Sequence, residues 1–231
     1  MTRVWADAAL IFTGGRSQRM GRDKALLSYD GHEQLARMVG LSRRIARSTV
    51  VSCRAEQAEE YRARLDASPL SWAFDGPEVE TPLQAFGAML ADLADGPIVC
   101  LCVDQPLLEA EAIEQLLGES TGDVVCFGKA PVGETAPASE EASRSSAAPV
   151  KLEPFPSLWR VGPVVRLAVE EALRTRSFGW QKLLRQLDVR VVEPREPRWL
   201  DNVNTPEEAQ AAECFLRSHS SRNASTRSRC S

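Results

Sequence analysis

The stretch AALIFTGGRSQRMGRDKALL, Ala8–Leu27, begins as an apolar run and then becomes rich in glycine and positive charge. Its first five residues predict a buried strand, Ala8–Phe12, because short continuous apolar runs suit strands that are covered on both faces. The following residues, Thr13–Leu27, hold three glycines, three arginines and one lysine. Glycines directly after a strand let the backbone turn sharply and approach a ligand closely. The stretch therefore predicts a strand that ends in an anion-binding loop.

The rest of the chain alternates apolar strand-like runs with helical periodicities. This pattern predicts a doubly wound α/β domain with a mostly parallel sheet and helices on both faces. The predicted strands are Ala8–Phe12, Thr49–Cys53, Leu70–Phe74, Pro97–Val103, Asp123–Phe127 and Val189–Val192. The predicted helices are Glu33–Arg47, Glu56–Leu65, Leu83–Leu93, Glu109–Leu117, Val164–Arg174, Gly179–Leu187 and Pro206–Arg217. In such sheets ligands bind at the carboxyl ends of the strands, so we expect the glycine loop, Asp75 and Asp104 at one edge.

The length of 231 residues predicts a single domain, residues 1–217. The segment 128–150 is rich in Ala, Ser, Glu and Pro and has no apolar periodicity, which predicts a flexible insertion. We expect ordered structure to resume at Leu158. The last residues, 218–231, form a polar and basic tail that we expect to be disordered.

Charge and cysteine usage narrow the partners and the compartment. A formal net charge of −4 gives no general attraction to nucleic acid or to an anionic membrane, so we expect neither as a partner. No apolar stretch approaches about 18 residues, and the N-terminus lacks a signal-peptide pattern. The six cysteines form no CxxC pair, which argues against a zinc site or a disulfide framework and fits a reducing compartment. We therefore expect a cytoplasmic protein.

Positive charge in the glycine loop suits a phosphate ligand. Arg16, Arg19, Arg22 and Lys24 can pair with phosphate oxygens, while loop N–H groups point at the same anion. Neither the Walker pattern GxxxxGK[ST] nor the dinucleotide fingerprint GxGxxG is present. Composition alone leaves open a solvated basic turn between a strand and a helix.

The order of the loop residues resembles the motif L-A-G-G-x-S-x-R-M-G-x-D-K-A-L-L of nucleotidyltransferases, and most closely that of molybdenum cofactor guanylyltransferases. Here Phe12-Thr13 stands in place of Leu-Ala. The matching residues are Gly14, Gly15, Ser17, Arg19, Met20, Gly21, Asp23, Lys24 and Ala25–Leu27. The resemblance implies the Rossmann-like fold of nucleotide-diphospho-sugar transferases. It also implies catalytic roles for Lys24, Arg19 and Asp104. The residues implied to bind nucleotide are Phe12, Thr13, Gly14, Gly15, Lys24, Asp75 and Asp104.

Two acidic residues and one asparagine complete the expected site. Asp104, in VDQP, resembles the C-D-x-P segment of the family, which implies a ligand for Mg²⁺, a cation that prefers hard oxygen donors. Asp75 precedes Gly76, and the resemblance implies that it contacts the nucleotide. Asn204, in WLDNVNTPEEAQ, is implied to lie near the metal. On the residues alone, both aspartates can also be ordinary turn residues, and Thr205-Pro206 can simply start a helix.

By the same resemblance, the protein would transfer GMP from GTP to the phosphate of molybdopterin and release pyrophosphate. The acceptor would occupy the segment Leu158–Leu187. Two departures from the family pattern concern the nucleotide site: Cys53 stands where an asparagine is expected for base selection, and Thr81 stands in place of a glycine. Alternatives remain open, namely cytidylyl or other nucleotidyl transfer to a molybdopterin, isoprenoid or sugar phosphate, or a nucleotide-binding module that has lost transfer.

Overall fold

The computed structural model describes residues 6–13, 21–65, 69–129 and 150–227. Within them the strands are β1 Ala6–Phe12, β2 Ser28–Tyr29, β3 His32–Glu33, β4 Ala46–Cys53, β5 Ser71–Phe74, β6 Gly96–Cys102, β7 Val124–Lys129, β8 Lys151–Val161 and β9 Val189–Val192. The α-helices are α1 Gln34–Ile45, α2 Ala55–Arg64, α3 Pro82–Asp92, α4 Ala110–Leu117, α5 Pro163–Arg174, α6 Trp180–Leu184 and α7 Pro206–Arg227. Among the described helices, none is both long and apolar enough to cross a bilayer.

Seven of these strands form one sheet in the order β5-β4-β1-β6-β8-β7-β9. The neighbours β5, β4, β1 and β6 run parallel, as do β7 and β9, whereas β8 lies antiparallel to both β6 and β7. The mostly parallel, doubly wound sheet predicted from the sequence is confirmed. Both faces of the sheet must be covered because the connections between parallel strands carry helices across them.

Alternate residues of β1 enter two different cores. Ala9 and Ile11 pack with α1, α2 and α4 on one face, and Leu10 and Phe12 pack with α3, α5 and α6 on the other. This alternation follows from the period-two geometry of a strand. It explains why the β1 sequence is apolar at nearly every position rather than at every second one.

The main differences from the predicted boundaries in the middle of the chain concern β7 and β8. β8 begins at Lys151 rather than Leu158, and residues 128–129 belong to β7, which leaves 130–149 of the predicted insertion outside the described residues. Prolines at 154 and 156 hid β8 in the sequence because proline removes a ladder donor. The structure accommodates them at an irregularity in register opposite Cys126–Phe127.

The remaining differences lie near the C-terminus. α6 ends at Leu184 rather than Leu187, and α7 continues ten residues past Arg217, through part of the segment that we expected to be a disordered tail. No glycine or proline interrupts residues 218–227. A polar segment without breakers can extend a helix whose first turns are already formed, because propagation costs less than nucleation.

Candidate active site

Three segments that are far apart in the sequence meet at the carboxyl edge of the sheet. The Lys24 Nζ donates a hydrogen bond of 2.8 Å to Oδ1 of Asn204, across 180 residues of sequence. The backbone carbonyl of Asp104, just beyond β6, accepts a 2.7 Å bond from the Val203 N–H. Burial raises the pKa of the Cys102 thiol, the charge of Asp104 raises it further, and the charge of Lys24 lowers it. Both charges therefore lie close to this thiol. The structure thus brings Lys24, Asp104 and Asn204 together.

Asp23 holds Lys24 in place. Its Oδ1 accepts a 3.0 Å bond from the Ala25 N–H and so caps the 3₁₀ turn Lys24–Leu26. Its Oδ2 accepts 2.7 Å bonds from the Tyr61 hydroxyl and from Nε2 of Gln57, both on α2. Burial raises the pKa of Tyr61 strongly, and the bond to Asp23 adds to that rise. This role of Asp23 was not predicted, although an aspartate before a short helical turn is a capping pattern.

Thr13 joins the start of the glycine loop to β4. Its hydroxyl and its N–H both donate to the Ser52 carbonyl, at 2.7 and 3.2 Å. The Ser52 hydroxyl in turn donates a 2.8 Å bond to Oδ1 of Asp75. Burial raises the pKa of Asp75, and the Ser52 bond acts in the opposite direction. Phe12, Ser52 and Asp75 line a cleft of about 80 Å³ with Thr81 at the start of α3. We call it the nucleotide cleft because the resemblance implies that Phe12 and Asp75 bind nucleotide.

The helix start at Thr81 is regular despite the missing glycine. The Thr81 hydroxyl accepts a bond from the Gln84 N–H, and Oε1 of Gln84 accepts one from the Thr81 N–H, which together form a capping box. Two backbone donors are therefore satisfied without a residue of special conformation. Threonine at this position therefore supports a regular helix start.

Cys53 does not line the nucleotide cleft, which corrects the inference drawn from its position in the sequence. The side chain is fully buried in the core that contains Tyr61, and burial raises the pKa of its thiol to about 12. Successive side chains of a strand point to opposite faces, so Ser52 lies at the cleft while Cys53 lies in the core. A thiol in this position cannot select the base.

A second cleft, of about 360 Å³, is lined by Asp104, and we call it the acceptor cleft because its lining includes part of the segment that we expect to bind the acceptor. Residues of β8 and α6 line it, including Glu153, Phe155 and Trp180. The Phe155 ring lies 5.0 Å from the Phe12 ring, centroid to centroid, so one aromatic pair separates the two clefts. The predicted acceptor segment, Leu158–Leu187, includes the α6 residues. It omits the β8 residues that line the cleft, such as Glu153 and Phe155, because this part of the strand was not predicted.

The oxygen donors at this edge suit a metal ion that is held partly by the protein and partly by substrate phosphates. No group of three or more His, Cys, Asp or Glu in the described ranges could hold a metal ion on its own. Mg²⁺ often takes one or two carboxylates and completes its shell with water and substrate phosphates, and Asp104 fits that role. Asn204 Oδ1 is bonded to Lys24, so its metal role would require an exchange of partners and stays a prediction. Gly14, Gly15 and Arg19 lie outside the described residues.

Solved structures share this architecture. Molybdopterin-guanine dinucleotide biosynthesis protein A from Archaeoglobus fulgidus has a TM-score of 0.67 at 19% identity, over 91% of this chain and 99% of that one. The 4-diphosphocytidyl-2C-methyl-D-erythritol synthase from Anaerococcus prevotii has a TM-score of 0.68 at 13% identity, over 91% and 95%. At these identities the likeness shows the fold alone, which is the nucleotide-diphospho-sugar transferase fold.

The chain belongs to the family of MobA-like NTP transferase domains, whose family model matches residues 9–189. Molybdenum cofactor guanylyltransferase from Pseudomonas putida is 38% identical over 109 residues, which cover 47% of this chain and 55% of the relative. The protein of that name from Xanthomonas euvesicatoria is 34% identical over 129 residues, or 55% and 61%. The match therefore spans a little over half the length of these relatives.

Proposed function

We propose that the protein transfers GMP from GTP to the terminal phosphate of molybdopterin and releases pyrophosphate. The observation that carries the proposal is the meeting of Lys24, Asp104 and Asn204 at the carboxyl edge of the sheet, where Asp104 also lines the acceptor cleft. In the proposal, part of the base enters the nucleotide cleft and the acceptor enters the acceptor cleft. The names of the relatives, molybdenum cofactor guanylyltransferases, support this choice of base and acceptor. We propose the cytoplasm as its location, since the buried free thiols of the described residues suit a reducing compartment.

In this proposal the nucleoside occupies the nucleotide cleft. Guanine offers its ring N–H and its amino group side by side, and one carboxylate can accept from both. Cytosine offers one amino group beside a ring nitrogen that is an acceptor. The lone pair of that nitrogen repels the second carboxylate oxygen. Asp75, held by Ser52, therefore favours guanine over cytosine.

Lys24 and the loop residues Gly14, Gly15 and Arg19 contact the triphosphate. An oxygen of the acceptor phosphate attacks the α-phosphorus in line, the bond to the β-phosphate oxygen breaks, and pyrophosphate leaves. The attacking phosphate is already ionised, so no side chain has to remove a proton. Positioning and neutralisation of charge supply the catalysis. Mg²⁺ held by Asp104 would neutralise phosphate oxygens as a Lewis acid.

The test is pyrophosphate release with Mg²⁺, molybdopterin and GTP, CTP, UTP or ATP supplied separately. Release with GTP alone is the expected result, and omission of molybdopterin should abolish it. Release with CTP would move the assignment to a cytidylyltransferase. Binding of GTP without release, in the presence of an acceptor that another guanylyltransferase accepts, would identify a binding module and overturn transfer.

A further inference from the structure

The acceptor cleft contains a buried amide oxygen that has no donor. Gln105 is 1% exposed, and its Nε2 donates a 2.7 Å bond to the Phe155 carbonyl. That bond fixes the orientation of the amide, because a carbonyl can only be paired with the NH₂ group. Oε1 is left buried with no hydrogen-bond partner among the described residues. An acceptor left unpaired in the fold costs free energy that a bound donor could recover.

Glu153 is a buried carboxylate in the wall of the same cleft. It is 4% exposed and lies on β8, at the edge of the register irregularity opposite Phe127. Its charged partner is Nζ of Lys151, at 3.5 Å, on a side chain that is itself largely exposed. In the described part of the chain, no group donates a hydrogen bond to this carboxylate. Buried carboxylates are costly unless donors surround them, so Glu153 is poised for donors from a ligand.

Trp180 adds a flat surface and one donor. Its ring lies 5.3 Å from the Phe155 ring in an edge-to-face arrangement, beside the rings of Phe86 and Trp159. The Trp180 Nε1 is buried and has no acceptor among the described residues. Aromatic walls of this kind suit a planar ligand better than a flexible aliphatic one. The cleft thus combines two acceptors, one donor and aromatic walls beside Asp104.

We propose that the acceptor cleft selects a planar heterocycle with adjacent N–H donors, and that Glu153 and Gln105 are the residues that determine this specificity. The proposal rests on the proposed function and deepens it, because a pterin carries a ring N–H next to an amino group. A carboxylate can accept both of these hydrogen bonds. Isoprenoid and sugar phosphates present hydroxyl groups and no planar N–H edge. The same residues therefore disfavour the two other acceptor classes.

The test replaces Glu153→Gln, which keeps the shape of the side chain and removes its charge. We expect KM for molybdopterin to rise about 10- to 100-fold, as the loss of hydrogen bonds to a charged group implies. Since Glu153 lies outside the nucleotide cleft, kcat and the Kd for GTP should stay within about twofold. The control is Glu170→Gln, an exposed glutamate of α5, which should leave all these constants unchanged. A binding readout, titration calorimetry with free pterin in the absence of nucleotide, should show the same loss only for Glu153→Gln.

Each outcome decides one of the two proposals. Unchanged KM and unchanged pterin affinity in Glu153→Gln, with normal transfer, overturn this inference and leave the proposed function standing. If the wild type shows no transfer but binds pterin in a way that depends on Glu153, the proposed function is overturned and this inference stands. No pterin binding by the wild type also overturns the inference. If Glu153→Gln fails to fold, Trp180→Phe replaces it, because it keeps the aromatic wall, removes the donor and should weaken pterin binding.

Discussion

Replacement of Asp23 by alanine tests whether α2 fixes the position of Lys24. The change removes three hydrogen bonds, from the Ala25 N–H, the Gln57 amide and the Tyr61 hydroxyl. Tyr61 is fully buried, so its hydroxyl loses an acceptor that water cannot replace. Gln57 keeps a second contact, because its Nε2 also donates to the Tyr61 oxygen at 2.9 Å.

The expected cost follows from that inventory. An unpaired buried hydroxyl costs about 1–3 kcal/mol, and the two other bonds add about 1 kcal/mol together, for a total of roughly 2–4 kcal/mol. For a chain of this length that free energy corresponds to a fall in Tm of about 5–15 °C. KM for GTP should rise about tenfold or more, because a shift of about 1 Å in a positioning group is already costly.

The assay combines thermal unfolding by circular dichroism with pyrophosphate-release kinetics below the Tm of the variant. Asp92→Ala is the matched control, because Asp92 is exposed at the end of α3 and has no bond to the loop. Tyr61→Phe should give a smaller loss of stability, since Asp23 keeps two of its three donors. A Tm within 2 °C of wild type together with an unchanged KM for GTP in Asp23→Ala would refute the reasoning.

Three further predictions concern charged and titratable groups. Lys24→Ala and Asp104→Ala should each lower kcat for transfer by about 10²-fold or more with little change in Tm, because the replaced side chains act by electrostatic stabilisation. Near-normal turnover in either variant would contradict the mechanism. Asp75→Asn should weaken GTP binding at least tenfold, which a GTP titration checks. The variant should be at least as stable as wild type at neutral pH, because burial raises the pKa of Asp75 and its ionisation above the ordinary pKa opposes folding; urea unfolding at pH 4 and pH 7 checks this. Burial raises the pKa of Tyr29 to about 12, so the stability contributed by the neutral phenol is present below pH 10 and lost between pH 10 and 12. Between pH 9 and pH 11, urea unfolding should therefore show a smaller fall in the free energy of unfolding for Tyr29→Phe than for wild type.

The position of the two aspartates of the candidate site could be predicted because each lies just beyond the end of a strand. Asp75 and Asp104 each come after an apolar run, and parallel strands place such positions at one edge of the sheet. The position of Glu153 in the acceptor cleft could not be predicted. Its strand is interrupted by two prolines and pairs antiparallel with β6 and β7 in the middle of the sheet. Local patterns carry no information on which strands will become its neighbours.

The sequence by itself determined the doubly wound class, the glycine and lysine loop after β1 and the acidic ends of β5 and β6, since all of these depend on neighbouring residues in the chain. Tertiary structure decided which side chains face the clefts. Ser52 rather than Cys53 lies beside Asp75, because the register of a strand sets the face of every residue and depends on its partners. The Lys24 bond to Asn204 and the Asp23 bond to Tyr61 also arise only in the folded chain, where segments separated by 180 and 38 residues are brought together.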